Sequence, residues 1–300
     1  MGFRRWWAIA AIAVASAMAM PSPAQKLYAA SVRTIAEGGG SDAIGGSLYS
    51  VDLKTGSATL IAPIRLNGQL PLGITGLAVH PANGIMYGIT SSLSRTNPKS
   101  LVIIDPTTGS ATMVGPLKLG GSDIAFNKNG ILFTFLPETH QLGVINLETG
   151  LVTAIGNAGR AGPPAGLAID VNGVAYITAK GATGSVDTVD ISTGQITLGP
   201  RLKGAPFEST INSMAFTPEG TLLAVNSNQG SPASTSLITI NAATGAVTTI
   251  GSLPDDTDAL AFAVGVKGEE QKTDWRMVAL ITLGVLGVLI AAVGFLTGRK

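Results

Sequence analysis

Three polar residues near the starts of apolar, strand-like segments are the first candidates for chemistry: Asp123, Asn212 and Asp258. Carboxylate and amide oxygens are the ligands that Ca²⁺ prefers in proteins, and a pair of carboxylates is also the acid and base of most glycoside hydrolases. Glu208, in the segment before Asn212, is the nearest further acid. The simpler interpretation, which we favour, is that each side chain caps a strand or binds backbone donors at a loop junction.

Other kinds of site are limited by composition. The chain has no cysteine and only two histidines, His80 and His140, so thiolate chemistry is excluded and neither a zinc site nor a Ser-His-Asp triad is supported. Calcium on Asp123 and Asp258 is the one metal left open, and no other cofactor is expected. A net charge of +1 with 12% charged residues offers no concentrated basic face, which argues against a nucleic-acid partner.

The elements that would position these residues come from a repeat with Thr-Gly at its centre. Five strand-turn-strand copies contain it, and their turn glycines are Gly56, Gly109, Gly150, Gly194 and Gly245. An Asp or Asn stands four residues before each glycine, at Asp52, Asp105, Asn146, Asp190 and Asn241. Because every copy has one, we expect these side chains to bind the turn backbone and not to form a site. Periods of 40 to 50 residues built from short strands are typical of propeller blades.

A second repeated unit lies between the Thr-Gly units. Each copy is an apolar strand with a central alanine, a tight turn ending in glycine, and another apolar strand. The alanines are Ala78, Ala125, Ala168 and Ala215. A small residue there fits an innermost strand, where blades converge. Together the two units predict four-stranded blades over 74–117, 121–158, 164–202 and 211–253.

A fifth blade is predicted from pieces at both ends of the domain. The segment from Asp258, with Ala261 at the alanine position, is an innermost strand with no second strand after it. Residues 26–31 form a second strand with no first. We therefore predict an all-β, five-bladed β-propeller over residues 25–265, whose last blade is closed by N-terminal strands and leaves no open edge.

The repeats resemble those of secreted bacterial β-propellers of the NHL/YVTN-like kind, which also carry turns of the form VDxxTG. The resemblance covers about residues 26–264. It implies the fold, whereas such propellers serve as binding modules, enzymes and scaffolds alike.

Both ends of the chain carry membrane signals. Residues 1–24 have a secretory signal pattern, with Arg4 and Arg5 before an apolar stretch, and both Sec and twin-arginine export remain open. Met277 to Leu296 is an uncharged apolar run long enough to cross a bilayer. We predict a polar linker at 266–275, a transmembrane helix at 276–297 and a cytoplasmic tail at 298–300. The propeller would then be anchored to the cytoplasmic membrane on its extracytoplasmic side.

The connections between strands are of two kinds. The turns within hairpins are short and alike, whereas the loops 32–47, 65–73, 91–100, 180–185, 203–210 and 226–236 are long and different from one another. Long, varied loops carry function more often than scaffold turns do. We call the side predicted to bear them the long-loop face, and its candidate contact residues are Arg33, Glu37, Asp42, Arg95, Glu138, His140 and Asn228.

These observations favour a binding or interaction module that recognises a protein or an envelope glycan through the long-loop face. The alternative is a propeller hydrolase of the glycosidase or lactonase type, which would use carboxylates at the channel mouth, with or without calcium. Enzymatic activity is not the favoured interpretation.

Overall fold

The computed structural model describes residues 25–33, 45–94, 96–156, 164–179, 184–204, 210–228 and 234–263. Every regular element in these ranges is a strand. None of the described residues forms a helix long and apolar enough to cross a membrane. The predicted signal peptide, linker, transmembrane helix and tail lie outside these ranges.

Twenty-two strands run through the described chain. The N-terminal ones are β1 (Lys26–Ser31), β2 (Ser47–Val51), β3 (Ala58–Pro63), β4 (Arg65–Leu66) and β5 (Leu70–Pro71). Blade one contains β6 (Ile74–Val79), β7 (Met86–Thr90), β8 (Ser100–Ile104) and β9 (Ser110–Pro116). Blade two contains β10 (Ile124–Phe126), β11 (Leu132–Leu136), β12 (Gln141–Ile145) and β13 (Val152–Ile155). Blade three contains β14 (Pro164–Ile169), β15 (Ala175–Ala179), β16 (Val186–Val189) and β17 (Ile196–Thr197). Blade four contains β18 (Thr210–Phe216), β19 (Leu222–Asn228), β20 (Ser234–Ile240) and β21 (Val247–Leu253), and β22 (Thr257–Ala263) follows it.

Blade five is built from both ends of the domain, as predicted. Its strand order is β22-β1-β2-β3, and β1 pairs antiparallel with β22 from Lys26 opposite Ala263 to Ser31 opposite Thr257. The C-terminal strand is therefore the innermost of a blade whose other strands come from the N-terminal part. This pairing closes the ring of five blades and leaves no inner strand without a partner.

The inner-strand alanines sit opposite large residues on the second strands. The pairs are Ala78–Tyr87, Ala125–Phe133, Ala168–Tyr176, Ala215–Leu223 and Ala261–Tyr28. The sheets are most crowded at the axis, so a small inner side chain leaves room for a large one directly opposite.

The hydrophobic core is divided into five clusters, one between each pair of neighbouring blades. Strand β22 contributes to two of them, because Ala261 packs towards blade one and Leu260 towards blade four. Closure of blade five therefore completes two of the five cores. The chain has no cysteine, so apolar packing holds the blades together without disulfides.

The structure corrects one prediction: residues 65–73, which we expected to form a loop, contain two short strands. Residues Arg65–Leu66 and Leu70–Pro71 form a small hairpin, and β4 pairs parallel with β9 through Arg65 opposite Ser110. The hairpin covers the outer edge of blade one, which would otherwise present unpaired backbone groups to other chains. The sequence did not reveal it because two-residue strands carry no periodicity.

The five Thr-Gly turns share one construction. In the turn of blade five, Asp52 Oδ1 accepts hydrogen bonds from the backbone N–H groups of Lys54 and Thr55, at 2.9 and 2.8 Å. The matching Asp or Asn does the same in each of the other four turns. The turn glycines all have φ between +68° and +76°, which only glycine adopts without strain. The predicted structural role of the repeated Asp and Asn residues is confirmed.

Each turn glycine also touches the backbone at the end of the preceding blade. A methyl group added at Gly245 would lie 2.0 Å from the carbonyl oxygen of Arg201, and one added at Gly150 would lie 2.4 Å from that of Gly115. Lys203 N–H also donates to the Gly245 carbonyl at 2.9 Å. The Thr-Gly turns therefore join neighbouring blades around the periphery, which is a second reason for glycine at these positions.

We predict that Gly245→Ala destabilises the protein more than Gly220→Ala does. Both glycines have positive φ, but a methyl group at Gly220 would meet nothing within 4 Å. Gly220→Ala should therefore lower the free energy of unfolding by about 1–2 kcal/mol through backbone strain alone. Gly245→Ala should cost at least about 1 kcal/mol more, because blade three must move away. Urea unfolding followed by circular dichroism measures both, and equal losses would show that the contact between blades is unimportant.

Candidate functional site: the central channel

Asp123 lies on the axis of the propeller, where the inner strands converge. Its Oδ2 accepts hydrogen bonds from the backbone N–H groups of Leu167 at 3.0 Å and Met214 at 3.1 Å. Its Oδ1 accepts from the N–H of Ile124 at 2.9 Å and from Ser213 Oγ at 3.1 Å. One carboxylate thus binds donors on the inner strands of blades two, three and four.

Ser213 extends this network to blade five. Its Oγ donates to Asp123 and accepts from the N–H of Leu260 at 2.9 Å. Ile124, Leu167, Met214 and Leu260 each stand one residue before an inner-strand alanine. Their N–H groups belong to the strand edge that faces the channel and that no neighbouring strand pairs. Asp123 and Ser213 therefore supply the acceptors that the sheets cannot.

The positions equivalent to Asp123 in the other blades hold small residues. They are Gly76, Gly166, Ser213 and Ala259, each two residues before its inner-strand alanine. A methyl group at Gly76 would already lie 3.1 Å from the Asp123 Cα atom. Asp123 is therefore the one large side chain among the five equivalent positions at this level of the channel.

Burial and hydrogen bonding act on Asp123 in opposite directions. Its side chain is fully buried, and this burial raises the pKa of Asp123 well above its ordinary value, whereas the hydrogen bonds from Leu167, Met214, Ile124 and Ser213 lower it. The net pKa is raised. The environment of Asp123 is therefore that of a structural acid enclosed by donors and cut off from solvent.

Asn212 and Asp258 occupy a different level from Asp123. Each is the extra residue of a β-bulge, as Thr75 is in blade one, and each stands three residues before its alanine instead of two. Asp123 and Asp258 therefore do not occupy equivalent positions on their inner strands. The two carboxylates are at different depths in the channel.

The bulge residues link blades at the mouth of the channel on the long-loop face. Thr75 Oγ1 donates to Asp258 Oδ2 at 2.5 Å, which joins blades one and five. Asn212 Oδ1 accepts from Ser227 Oγ at 3.2 Å, and its Nδ2 donates to the backbone oxygen of Thr257 at 3.5 Å. These contacts agree with the interpretation in which such residues bind groups at loop junctions.

The geometry offers little to a metal at this end. Both oxygens of Asp123 already accept two hydrogen bonds each, so neither has a lone pair directed at an ion. Within the described part of the chain, no three His, Asp or Glu side chains are grouped as metal ligands would be. Glu208 lies outside the described residues.

Two of the candidate residues on the long-loop face form ion pairs. Arg33 lies 3.5 Å from Asp256, and Lys99 Nζ lies 2.8 Å from Glu138 Oε1. The hydrogen bond and charge of Lys99 lower the pKa of Glu138. These exposed pairs contribute little to stability and remain available to a partner.

Of the other candidate residues on this face, the structure describes His140. His140 has a left-handed backbone with φ of 55°, which is uncommon outside glycine. Glu37, Asp42 and Arg95 lie outside the described residues, as does the side chain of Asn228.

Sequence reasoning missed a cavity at the opposite end of the channel. It has a volume of about 330 Å³ and opens beside the turns that join inner and second strands, which we call the tight-turn face. Its walls come from the inner strands of all five blades, and Phe126, Phe216 and Phe262 contribute aromatic rings. We call it the apolar vestibule. One feature of the sequence did indicate this cavity. The residue that directly follows the inner-strand alanine is Phe in three of the five blades.

Solved structures similar to this chain include one whose likeness supports the fold. A chain from the crystal structure of a nidogen/laminin complex is similar over 81% of this chain and 100% of its own, with 13% identity and a TM-score of 0.52. A protein of unknown function from Bacteroides caccae has 12% identity over 80% of this chain and 99% of its own, with a TM-score of 0.49. Another from Bacteroides thetaiotaomicron has 17% identity over 60% of this chain and 50% of its own, with a TM-score of 0.43. No protein-family model and no curated protein sequence matches the chain. The protein is thus a five-bladed β-propeller, and the likeness to the nidogen/laminin chain is one of fold alone.

We predict that Asp123→Asn lowers the free energy of unfolding by about 1–3 kcal/mol, because the amide places two N–H hydrogens among donors that need an acceptor, whereas the carboxyl group carries at most one hydrogen. Asp190→Asn is the matched control, since Asn146 and Asn241 fill the same turn position in other blades. The control should unfold like the parent protein. If the two variants were equally stable, Asp123 would not hold the inner strands together.

The effect of Asp123→Asn should also depend on pH. Asp123 has a raised pKa in the folded state, so its contribution to stability is fully present below the unfolded pKa, about 3.9. That contribution is lost as pH rises through the folded pKa. The stability difference between parent and variant should therefore shrink with increasing pH in urea titrations. A difference that grows with pH would mean that the hydrogen bonds outweigh burial and that the folded pKa is depressed.

Proposed function

We propose that the protein is an exported, membrane-anchored binding module that recognises a protein or an envelope glycan through its long-loop face. The observation that carries this proposal is that Asp123 is buried and hydrogen-bonded to neighbouring blades. The Asp123 carboxyl group, which the hydrolase and calcium alternatives would use, is buried and accepts four hydrogen bonds. A closed channel makes the propeller a rigid scaffold, and recognition then falls to the loops that it carries.

The positions of the chain ends support an orientation for this module. Lys26 pairs with Ala263, so the propeller begins and ends side by side on the tight-turn face. A predicted signal peptide precedes the first of these residues, and the predicted membrane span follows the second. The linker of residues 266–275 can reach at most about 35 Å. In this proposal the tight-turn face is near the bilayer and the long-loop face points away from it.

The nidogen/laminin likeness is consistent with a binding role. That chain comes from a complex between two proteins, so a propeller of similar shape is part of a protein that assembles with another. Because fold does not determine function, this likeness supports only the class of activity.

The hydrolase alternative needs two available carboxylates, and the burial of Asp123 argues against its use as one of them. Asp258 is only half-buried, but its Oδ2 is held by Thr75, and Asp123 lies at another level with its oxygens occupied. No observation favours a glycosidase or lactonase over a binding module. We propose no catalytic residue and no bound cofactor.

Calcium gives a direct test of this choice. We predict that millimolar Ca²⁺ leaves the melting temperature of the purified protein unchanged, because ligands stabilise only the state that binds them and the channel carboxylates are already paired. Mg²⁺ at the same ionic strength is the control. A rise specific to Ca²⁺ that disappears in Asp258→Asn would contradict the proposal and favour the hydrolase.

The binding role is tested by affinity capture from envelope fractions with the full-length protein as bait. Replacing residues 229–233, which belong to the loop predicted from the sequence over 226–236, with glycine and serine should remove the partner. The matched control replaces Asn172 by Gly in the tight turn between β14 and β15, and this variant should retain the partner. Capture that is unchanged by the loop replacement and lost in the tight-turn variant would place recognition on the wrong face and contradict the proposal.

A further inference from the structure

The apolar vestibule has the shape of a binding site. Its deep part is lined by Ile124, Met214 and Leu260, next to the level at which Asp123 closes the axis. Ala168 and Ala215 line its sides. The residues at the entrance of the vestibule, Pro81, Lys128, Val171 and Pro218, belong to the tight-turn face.

The aromatic wall of the vestibule is fixed before anything binds. Phe126 makes edge contacts with His80 and Tyr87, at ring-centroid distances of 4.9 and 5.6 Å. Phe216 makes the same kind of contact with Tyr176 at 5.3 Å. Each phenyl ring is only half-buried and lines the cavity. Rings held in place by their neighbours lose little conformational entropy when a ligand packs against them.

Polar groups at the rim are largely engaged in the turns. Asn127 Oδ1 accepts from Asn129 and Ile131, and Asp170 Oδ1 accepts from Asn172 and Val174. The interior therefore presents hydrocarbon, and polar contacts are confined to the entrance. Small-molecule sites combine an apolar interior with a few polar groups in this way.

The volume sets the size of a suitable ligand. An apolar cavity of about 150 Å³ in another protein stays dry and binds benzene. The vestibule, at about 330 Å³, is roughly twice as large and falls within the range of small-molecule pockets. It matches a molecule with two fused rings, or the equivalent length of alkyl chain, entering end-on along the axis.

We propose that the apolar vestibule binds a small apolar molecule of this size, or the apolar part of an amphipathic one, with any polar group left at the entrance. This site lies at the other end of the channel from the long-loop face, so the inference does not depend on the proposed function. Asp123 forms the barrier between the two ends.

The absence of cysteine allows a site-specific test in the full-length protein. Val171 lines the vestibule and is 73% exposed, whereas Leu198 is 74% exposed and lies on the outer strand region of the same blade. Val171→Cys and Leu198→Cys would each carry one thiol at a site that tolerates substitution. Each variant is equilibrated with equal amounts of the symmetric disulfides of 2-naphthylethanethiol and 2-mercaptoethanol, in the presence of both free thiols at equal concentration. The cysteine thiolate then displaces one thiol from a disulfide, and the exchange is reversible. Intact-mass spectrometry then gives the ratio of the two mixed disulfides.

At Val171→Cys we expect the naphthyl disulfide to exceed the hydroxyethyl disulfide at least tenfold, relative to the ratio at Leu198→Cys. Adding Phe216→Ser to Val171→Cys should abolish that preference by removing an aromatic wall. Equal ratios at the two sites would overturn the proposal. So would a Val171→Cys thiol that accepts neither disulfide, since the vestibule would then be covered by the membrane or by the chain's own ends.

Discussion

Closing a ring of five blades brings five strand edges to one axis, and the backbone groups on those edges need partners. Outer edges can use solvent or a covering hairpin, but the inner edges face one another in a space too narrow for another strand. In this protein Asp123 and Ser213 are the partners of these inner-edge N–H groups. Together they accept hydrogen bonds from four inner strands. The cost is a buried carboxylate whose pKa is raised by its surroundings.

One side chain can play this role only if the fivefold pattern is broken. The residues equivalent to Asp123 are Gly, Gly, Ser and Ala, and a methyl group added at Gly76 would already lie 3.1 Å from the Asp123 Cα atom. At the periphery the pattern is kept, because each Thr-Gly turn meets the preceding blade in the same way. The five apolar cores lie between these two rings of contacts. Contacts at the axis and at the rim therefore hold the blades without disulfides.

Most of the architecture could be predicted from the sequence because it repeats. The Thr-Gly turns, the inner alanines and the split fifth blade each follow from local patterns that occur four or five times. The candidate site could not be predicted in the same way, because it depends on what is not repeated. Whether Asp123 and Asp258 lie at the same depth depends on the bulge at Asp258, and bulges leave no periodic signal in a sequence. The vestibule depends on how five strand ends converge, which no single segment encodes.

The two ends of the channel differ in chemistry because Asp123 separates them. On one side the bulge residues form a polar mouth in which Thr75, Asp258 and Asn212 join neighbouring blades. On the other side apolar residues line an open cup. The proposed partner site on the long-loop face and the proposed small-molecule site in the vestibule are therefore at opposite ends of one scaffold.

The role of Asp123 is tested most directly by native-state hydrogen exchange at the amides that it binds. If the carboxylate holds the inner strands together, the amides of Leu167 and Met214 should exchange only through global unfolding, although no strand pairs with their edge. Their exchange free energies should then equal the free energy of unfolding and fall with it in Asp123→Asn. Fast exchange of these amides in the parent protein, at rates typical of solvent-exposed edges, would contradict this role.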